Sequence, residues 1–287
     1  MRRRLFALCL AVVLMAACGS DSKPAATSSS SSTASKPTKV VSLSATATEM
    51  LFAIGAGPQV IAVDDQSNFP PEAPKTDLSG FTPNVEAIAG YQPDLVVIPN
   101  DTAGLVAGLQ NLKIEVLILG PAKQLADSYD QLVTLGAKTG HQDEANKVVA
   151  KMKSDIEALV KSVPQQKAGQ TYYYELDNTF FTATSNTFIG AVLNVTGLKN
   201  IADAVDDGTG FPQLSVEKIV SASPDFIFLA DTKCCQQSKD TVSQRAGWST
   251  ISAVQKGQIV ELDDDVASRW GPRIVDLLRT VVEAVKK

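Results

Sequence analysis

Beyond residue 38 the chain alternates short β-branched apolar runs with stretches of helical periodicity. Lys39-Val40-Val41-Ser42-Leu43 predicts a strand. Thr46 to Ile54 predicts a helix, capped by Thr46 or Thr48 and closed by Gly55. Val60 to Val63, Leu95 to Ile98 and Glu115 to Leu119 predict further strands, with helices over Asn84 to Ala89 and Leu105 to Leu112. Strands that are apolar throughout, separated by helices, predict a parallel sheet covered on both faces.

A long helix follows. Ala145, Val148, Val149, Met152, Ile156, Leu159 and Val160 recur at three-to-four spacing from about Gln142 to Ser162, and Val163-Pro164 stops the run. His141 sits just before it, as a surface residue at a helix terminus. Strand and helix then alternate again. Strands are expected over Thr171 to Leu176, Phe226 to Leu229 and Gln258 to Leu262. Helices are expected over Phe188 to Thr196, Ser215 to Ser221 and Arg273 to Val285.

An internal repeat supports two related lobes. Asn84-Val85-Glu86-Ala87-Ile88 is followed by Pro93-Asp94-Leu95-Val96. Ser215-Val216-Glu217-Lys218-Ile219 is followed at the same spacing by Pro224-Asp225-Phe226-Ile227. A Gly-Phe pair precedes each unit, Gly80-Phe81 and Gly210-Phe211. The expected division is an N-terminal lobe over 39–140, a connecting helix over 141–163 and a C-terminal lobe over 164–287.

The N-terminus reads as an address. Arg2, Arg3 and Arg4 precede an apolar stretch from Leu5 to Met15, too short for a transmembrane helix. It ends in Leu14-Met15-Ala16-Ala17-Cys18, which resembles a bacterial lipobox, with Met15 where Leu is commoner. That resemblance implies a signal peptide over 1–17, lipidation of Cys18 and attachment to the outer face of the cell membrane. Residues 18–38 are rich in Ser, Thr, Ala, Lys and Pro and predict a flexible tether.

Composition narrows the chemistry. The 287 residues carry a net charge of -5, which disfavours a nucleic-acid partner. Removing residues 1–17 takes away three arginines and no acid, so the charge moves from -5 to -8. One histidine rules out a multi-histidine metal site built from side chains alone. Of four cysteines, Cys9 leaves with the signal and Cys18 carries lipid, so the adjacent Cys234 and Cys235 remain. They could be a vicinal disulfide, two buried thiols or a redox-sensitive pair, and a local structural role is expected.

The ordered motifs resemble the helical-backbone substrate-binding proteins of ABC importers, which carry cobalamin, ferric siderophores or haem. The resemblance rests on Val40-Val41-Ser42-Leu43-Ser44-Ala45-Thr46-Ala47-Thr48-Glu49, Asn68-Phe69-Pro70-Pro71, the two repeat units, and Ser268-Arg269-Trp270-Gly271-Pro272-Arg273. It covers about residues 38 to 287 and is nearest in pattern to cobalamin-binding members. It implies an α/β fold of two Rossmann-like lobes with parallel sheets joined by a single long α-helix, the type III arrangement, with ligand in the cleft between the lobes. It also implies a monomer without a resident cofactor or protein-bound metal, serving an ABC permease dimer and its ATPase.

The resemblance assigns cleft positions to Phe69, Phe81, Phe181 and Phe211, where several typical cobalamin binders carry Trp or Tyr. It assigns polar cleft positions to Asp265 and Arg269, and permease docking to Glu86 and Glu217. Tyr172, Tyr173 and Tyr174 alternate along a strand and are expected to pack. The expected ligand is a metal chelate, preferably cobalamin or a related corrinoid, with a ferric siderophore or haem as the alternative. An exported hydrolase and an envelope-assembly lipoprotein are the other classes. Against the first, the chain has no G-x-S-x-G, H-E-x-x-H, Walker loop or full G-x-G-x-x-G.

Overall fold

The computed structural model describes Lys36–Lys287. The expected signal peptide, Cys18 and the tether as far as residue 35 lie outside the described residues. The N-terminal lobe runs β1 (Val40–Ser42), α1 (Ala45–Ala53), β2 (Val60–Val63), α2 (Val85–Ala89), β3 (Leu95–Ile98), α3 (Leu105–Asn111), β4 (Glu115–Ile118) and α4 (Leu125–Thr139). The 20-residue α5 (Gln142–Lys161) follows, with His141 at its N-cap position. The C-terminal lobe runs β5 (Thr171–Glu175), α6 (Phe188–Asn194), β6 (Lys199–Asn200), α7 (Val216–Ala222), β7 (Phe226–Leu229), α8 (Lys239–Ser243), α9 (Ser252–Gln255), β8 (Ile259–Glu261), α10 (Asp264–Ala267) and α11 (Ile274–Lys286).

Each lobe holds a four-stranded parallel sheet, ordered β2-β1-β3-β4 and β6-β5-β7-β8. The central strands β1, β3, β5 and β7 are almost wholly buried because helices cover both of their faces. The Pro-Asp step of the repeat has a physical role in both lobes. Asp94 Oδ2 accepts from Thr38 N, Thr38 Oγ1 and Lys39 N, fixing the entry to β1 at 2.8–3.0 Å. Asp225 Oδ2 accepts from Thr171 N at the start of β5 at 3.0 Å. Thr38, expected at the end of the tether, is therefore anchored to the folded body.

Three apolar clusters fill the lobes. One lies on the outer face of each sheet: Val41, Leu43, Ile88 and Val96 in the first lobe, Tyr173, Ile227, Leu229 and Trp248 in the second. The third is shared, running from Val40, Met50 and Leu95 through Leu132, Val149 and Met152 to Tyr172, Phe228 and Leu278. Helix α11 returns from the second lobe to pack on α5. The three tyrosines of β5 are fully buried, as the packing expectation requires.

Several local expectations change. Ser44 caps α1, accepting from Ala47 N at 3.3 Å, so neither Thr46 nor Thr48 is the cap. Helix α4 was not predicted. Its buried face includes Ser128, Gly136 and Thr139, which interrupt the apolar periodicity. The short β6, α8, α9 and α10 also escape the pattern.

Candidate functional site

The first three strands of the N-terminal lobe point their C-terminal ends at the opposite lobe, where parallel α/β sheets hold ligands. Leu43–Thr46 follow β1, Asp64 and Gln66 follow β2, and Pro99 and Asn100 follow β3. With Gly80, Phe81 and Thr102, and Asp265 and Ser268–Trp270 from the other lobe, they enclose a cavity of about 430 Å³. A second cavity, of about 620 Å³, lies toward the C-terminal lobe. Its walls include Pro121–Lys123 from the first lobe and Asn186–Ile189, Thr209 and Phe211 from the second. Ser268 and Trp270 line both cavities. Trp270 is held from the first lobe, where its Nε1 donates to Gln131 Oε1 at 2.8 Å and its carbonyl accepts from Ser128 Oγ.

The Gly-Phe pairs of the repeat take equivalent places. Phe81 lines the first cavity at 75% exposure and Phe211 the second at 50%. Each preceding glycine is needed for close approach. A Cβ on Gly80 would collide with the Asp64 carboxylate, and one on Gly210 would lie 2.8 Å from Thr187 Cγ2. Asp206 organises the second loop. Its carboxylate accepts from Asn186 Nδ2, Thr184 Oγ1 and the amides of Gly208 and Gly210, and these bonds, that from Asn186 first, hold it down to about 2.

The structure places two of the four phenylalanines elsewhere. Phe69 lies in a separate concavity with Phe52, Glu72 and Pro272, where Arg273 covers its ring at 4.1 Å. Phe181 lies outside both cavity linings, paired backbone to backbone with Gln213. Phe69 and Phe181, 38% and 39% exposed, sit on the loops after β2 and β5, outside the linings of these two cavities.

Asp265 and Arg269 do line the first cavity, but Arg269 is 8% exposed and bonded mainly to protein. Its Nη1 donates to Glu49 Oε1 at 2.8 Å and Asn68 Oδ1 at 2.9 Å. Its Nη2 donates to the Gln66 carbonyl and Asp265 Oδ1, both at 3.0 Å. Arg273 also engages Glu49, with Nε 3.0 Å from Oε2. Glu49 is buried on α1, so one carboxylate of the first lobe holds two arginines of the second. Arg269 therefore ties the two lobes together while lining the cavity.

Asp265 keeps part of its surface toward the cavity, bonded to Lys233, Arg269 and Asn68. These partners outweigh its desolvation and hold its carboxyl below the usual range. Asp64 is the opposite case: burial raises it, against the hydrogen bond from Ser67. Asp64, Gln66, Asn100, Asn186, Thr187 and Thr209 were not among the expected cleft residues. They sit at strand ends and loops, and no spacing rule marks such positions.

Glu86 and Glu217 occupy the same place in the two lobes. Each is exposed in the first turn of a short helix, beside the caps Asn84 and Ser215. Glu217 is held below its ordinary value by its own backbone amide and by Ser215.

Comparison with known proteins agrees with this architecture. An uncharacterised ABC transporter substrate-binding lipoprotein of Bacillus subtilis is 29% identical, over 97% of this chain and 95% of its own length. A cobalamin-binding protein of Halobacterium salinarum is 30% identical, over 87% of this chain and 70% of its own length. The periplasmic haem-binding protein of Vibrio cholerae shares the fold at a TM-score of 0.76 and 18% identity, covering 85% of this chain and 97% of that one. The periplasmic binding protein family matches residues 40–266. The chain belongs to the periplasmic binding protein family.

Proposed function

We propose that this chain is the substrate-binding lipoprotein of an ABC importer, anchored to the outer face of the cell membrane through Cys18. It captures a metal chelate, preferably cobalamin or a related corrinoid, and delivers it to the permease without chemistry. The observation that carries the ligand class is the lining of the paired cavities. Phe81, Phe211 and Trp270 supply apolar surface, with amide, hydroxyl and carboxylate groups between them. Both cavities fall within the ~300–1,000 Å³ usual for small-molecule sites. A corrin suits this mixture, having broad weakly polar faces and an amide-bearing edge.

Among the described residues lining the two cavities, none is His, Cys, Met or Tyr. Those are the side chains that hold haem iron. The lining therefore favours a ligand whose metal is already enclosed by its own donors, and disfavours haem. The cobalamin-binding relative supports the same choice. Calorimetry and absorbance against cyanocobalamin, a panel of ferric siderophores and haemin test it. Saturable binding of cyanocobalamin is expected. Tight binding of a ferric chelate with no response to cyanocobalamin would overturn it.

Glu86 and Glu217 form the docking pair of this reading, one exposed acid per lobe. Such rim charges set orientation and encounter with a basic permease surface. Reversing both to Lys should abolish uptake in cells while cyanocobalamin affinity stays within about twofold, since neither residue lines a cavity. Loss of ligand affinity in that variant would reject the docking role.

A further inference from the structure

The adjacent cysteines have no place in ligand capture, yet they are wired to the cleft. Cys234 and Cys235 lie on the loop from β7 to α8, the first exposed and the second half-buried, so they are not two buried thiols. Both are free cysteines, with their Sγ atoms 2.6 Å apart and so within reach of each other. Gln236, immediately after them, has φ +55, so the chain turns back at once. Three successive loop amides, Thr232, Lys233 and Cys234, donate to the Asp264 carboxylate at 2.9 Å each. Lys233 Nζ bridges Asp263 at 2.9 Å and Asp265 at 2.7 Å. Asp265 in turn accepts from Arg269 and from Asn68 of the other lobe. The dithiol is thus one hydrogen bond from α10 and two from the tie between the lobes.

We propose that Cys234 and Cys235 form a reversible thiol–disulfide site, oxidised by external disulfides, whose redox state sets the grip of the cleft on its ligand. The Cys235 thiolate attacks a sulfur of the external disulfide, whose other half leaves as a thiolate. Cys234 then loses its proton and attacks the Cys235 sulfur of the mixed disulfide, releasing the second thiolate. The pair gives up two electrons and two protons, and the external disulfide becomes two thiols. The Cys234 thiol is pushed up to about 12, first by desolvation and then by hydrogen bonding and charge from Cys235. The contributions of Cys235 vanish once it is in the mixed disulfide, which eases the second step, while desolvation and the charges of Asp264 and Asp231 still oppose it.

A disulfide between neighbouring residues strains its geometry, and strained or exposed disulfides are the readily reduced ones. Closing it forces the peptide between the two cysteines into the distorted geometry of a vicinal ring, away from the free-cysteine geometry in which the Cys234 amide is one of the three holding Asp264. The oxidised state therefore loosens α10 and weakens ligand binding, by about fivefold at the lower end of ordinary coupling. By linkage, bound ligand shifts the midpoint potential of this two-electron couple by about 21 mV in favour of the dithiol. The coupling to ligand rests on the proposed function; the redox site does not.

The full chain is equilibrated across a glutathione redox series, trapped by alkylation and mapped on the tryptic peptide Cys234 to Lys239. Amide exchange over α10 is followed in parallel, and cyanocobalamin affinity is read from tryptophan fluorescence, Trp248 and Trp270 together, at both extremes. The expected result is an internal disulfide, 2 Da lighter and closed to alkylation, that opens and closes within the glutathione series. With it come faster exchange at α10 and about fivefold weaker cyanocobalamin binding, both absent in C234S/C235S. Only glutathione adducts, only crosslinks between chains, or no titration at all would overturn the redox site. Identical α10 exchange in the two states would overturn the coupling. If the peptide titrates and α10 responds while cyanocobalamin binds in neither state, the device stands and the corrinoid reading falls.

Discussion

Asp231 shows how much a single side chain can set. It is fully buried beside Glu175, and among the described residues neither carboxylate oxygen has a hydrogen-bond partner. Desolvation first, then the charge of Glu175, raises it to about 8, against the attraction of Arg245. The folded state therefore keeps a proton that the unfolded chain loses near pH 4. Folded molecules bind more protons between about pH 4 and pH 8, so stability falls as pH rises through that window. Urea midpoints at pH 5, 6.5 and 8 should decline in the parent, and Asp231→Asn should remove most of the decline. An unchanged slope in the variant would assign the proton elsewhere. The aromatic pair makes a second residue-scale claim. Phe81→Ala and Phe211→Ala should each weaken cyanocobalamin binding by roughly tenfold, about 1.4 kcal/mol of lost apolar contact, in a calorimetric titration. Phe69→Ala and Phe181→Ala should leave it nearly unchanged. The repeat made the first pair visible, because two equivalent Gly-Phe steps in related lobes imply two equivalent walls. Nothing in sequence tells which way an isolated loop aromatic turns, and Phe69 settled under Arg273 instead.

At the scale of elements, buried strands were easy to read and short or polar-faced helices were not. Strands β3 and β7 are continuous apolar runs because both of their faces are covered. Helix α4 hides its buried face behind residues that satisfy themselves locally or across the cleft. Thr139 Oγ1 donates to the Leu135 carbonyl at 2.7 Å, and Ser128 reaches Trp270. The Pro-Asp steps were legible as a repeat, but their task was not, since the partner amides lie 54 to 56 residues away in sequence. Asp94 fixes the two residues that lead into β1, and Asp225 fixes the first residue of β5. Asp94→Ala and Asp225→Ala should each cost about 1–2 kcal/mol of unfolding free energy, measured by urea denaturation, and the cost should appear even with ligand bound. A loss below about 0.5 kcal/mol at both sites would mean that strand entry is fixed by packing alone.

For the body as a whole, three features resist independent motion of the lobes. The apolar cluster is continuous through α4 and α5, α11 from the second lobe packs on α5, and Glu49 holds Arg269 and Arg273 across the cleft. The resemblance to the helical-backbone family implied the single connector, but the buried carboxylate was invisible as a tie. In sequence Glu49 is one acid on a short helix, and its arginines follow 220 and 224 residues later. Breaking a buried pair by removing one partner leaves uncompensated charge and costs about 3–5 kcal/mol. If the lobes move little in normal capture, ligand should change the radius of gyration by less than about 1 Å from a body near 18 Å. Solution scattering on the parent with and without cyanocobalamin measures this, and the same pair of measurements on Glu49→Gln separates the tie from the packing. The variant should lose stability and gain a larger ligand-induced compaction, because two arginines no longer hold the unliganded cleft partly closed. A large compaction already present in the parent would show that neither the shared core nor the tie governs the approach of the lobes.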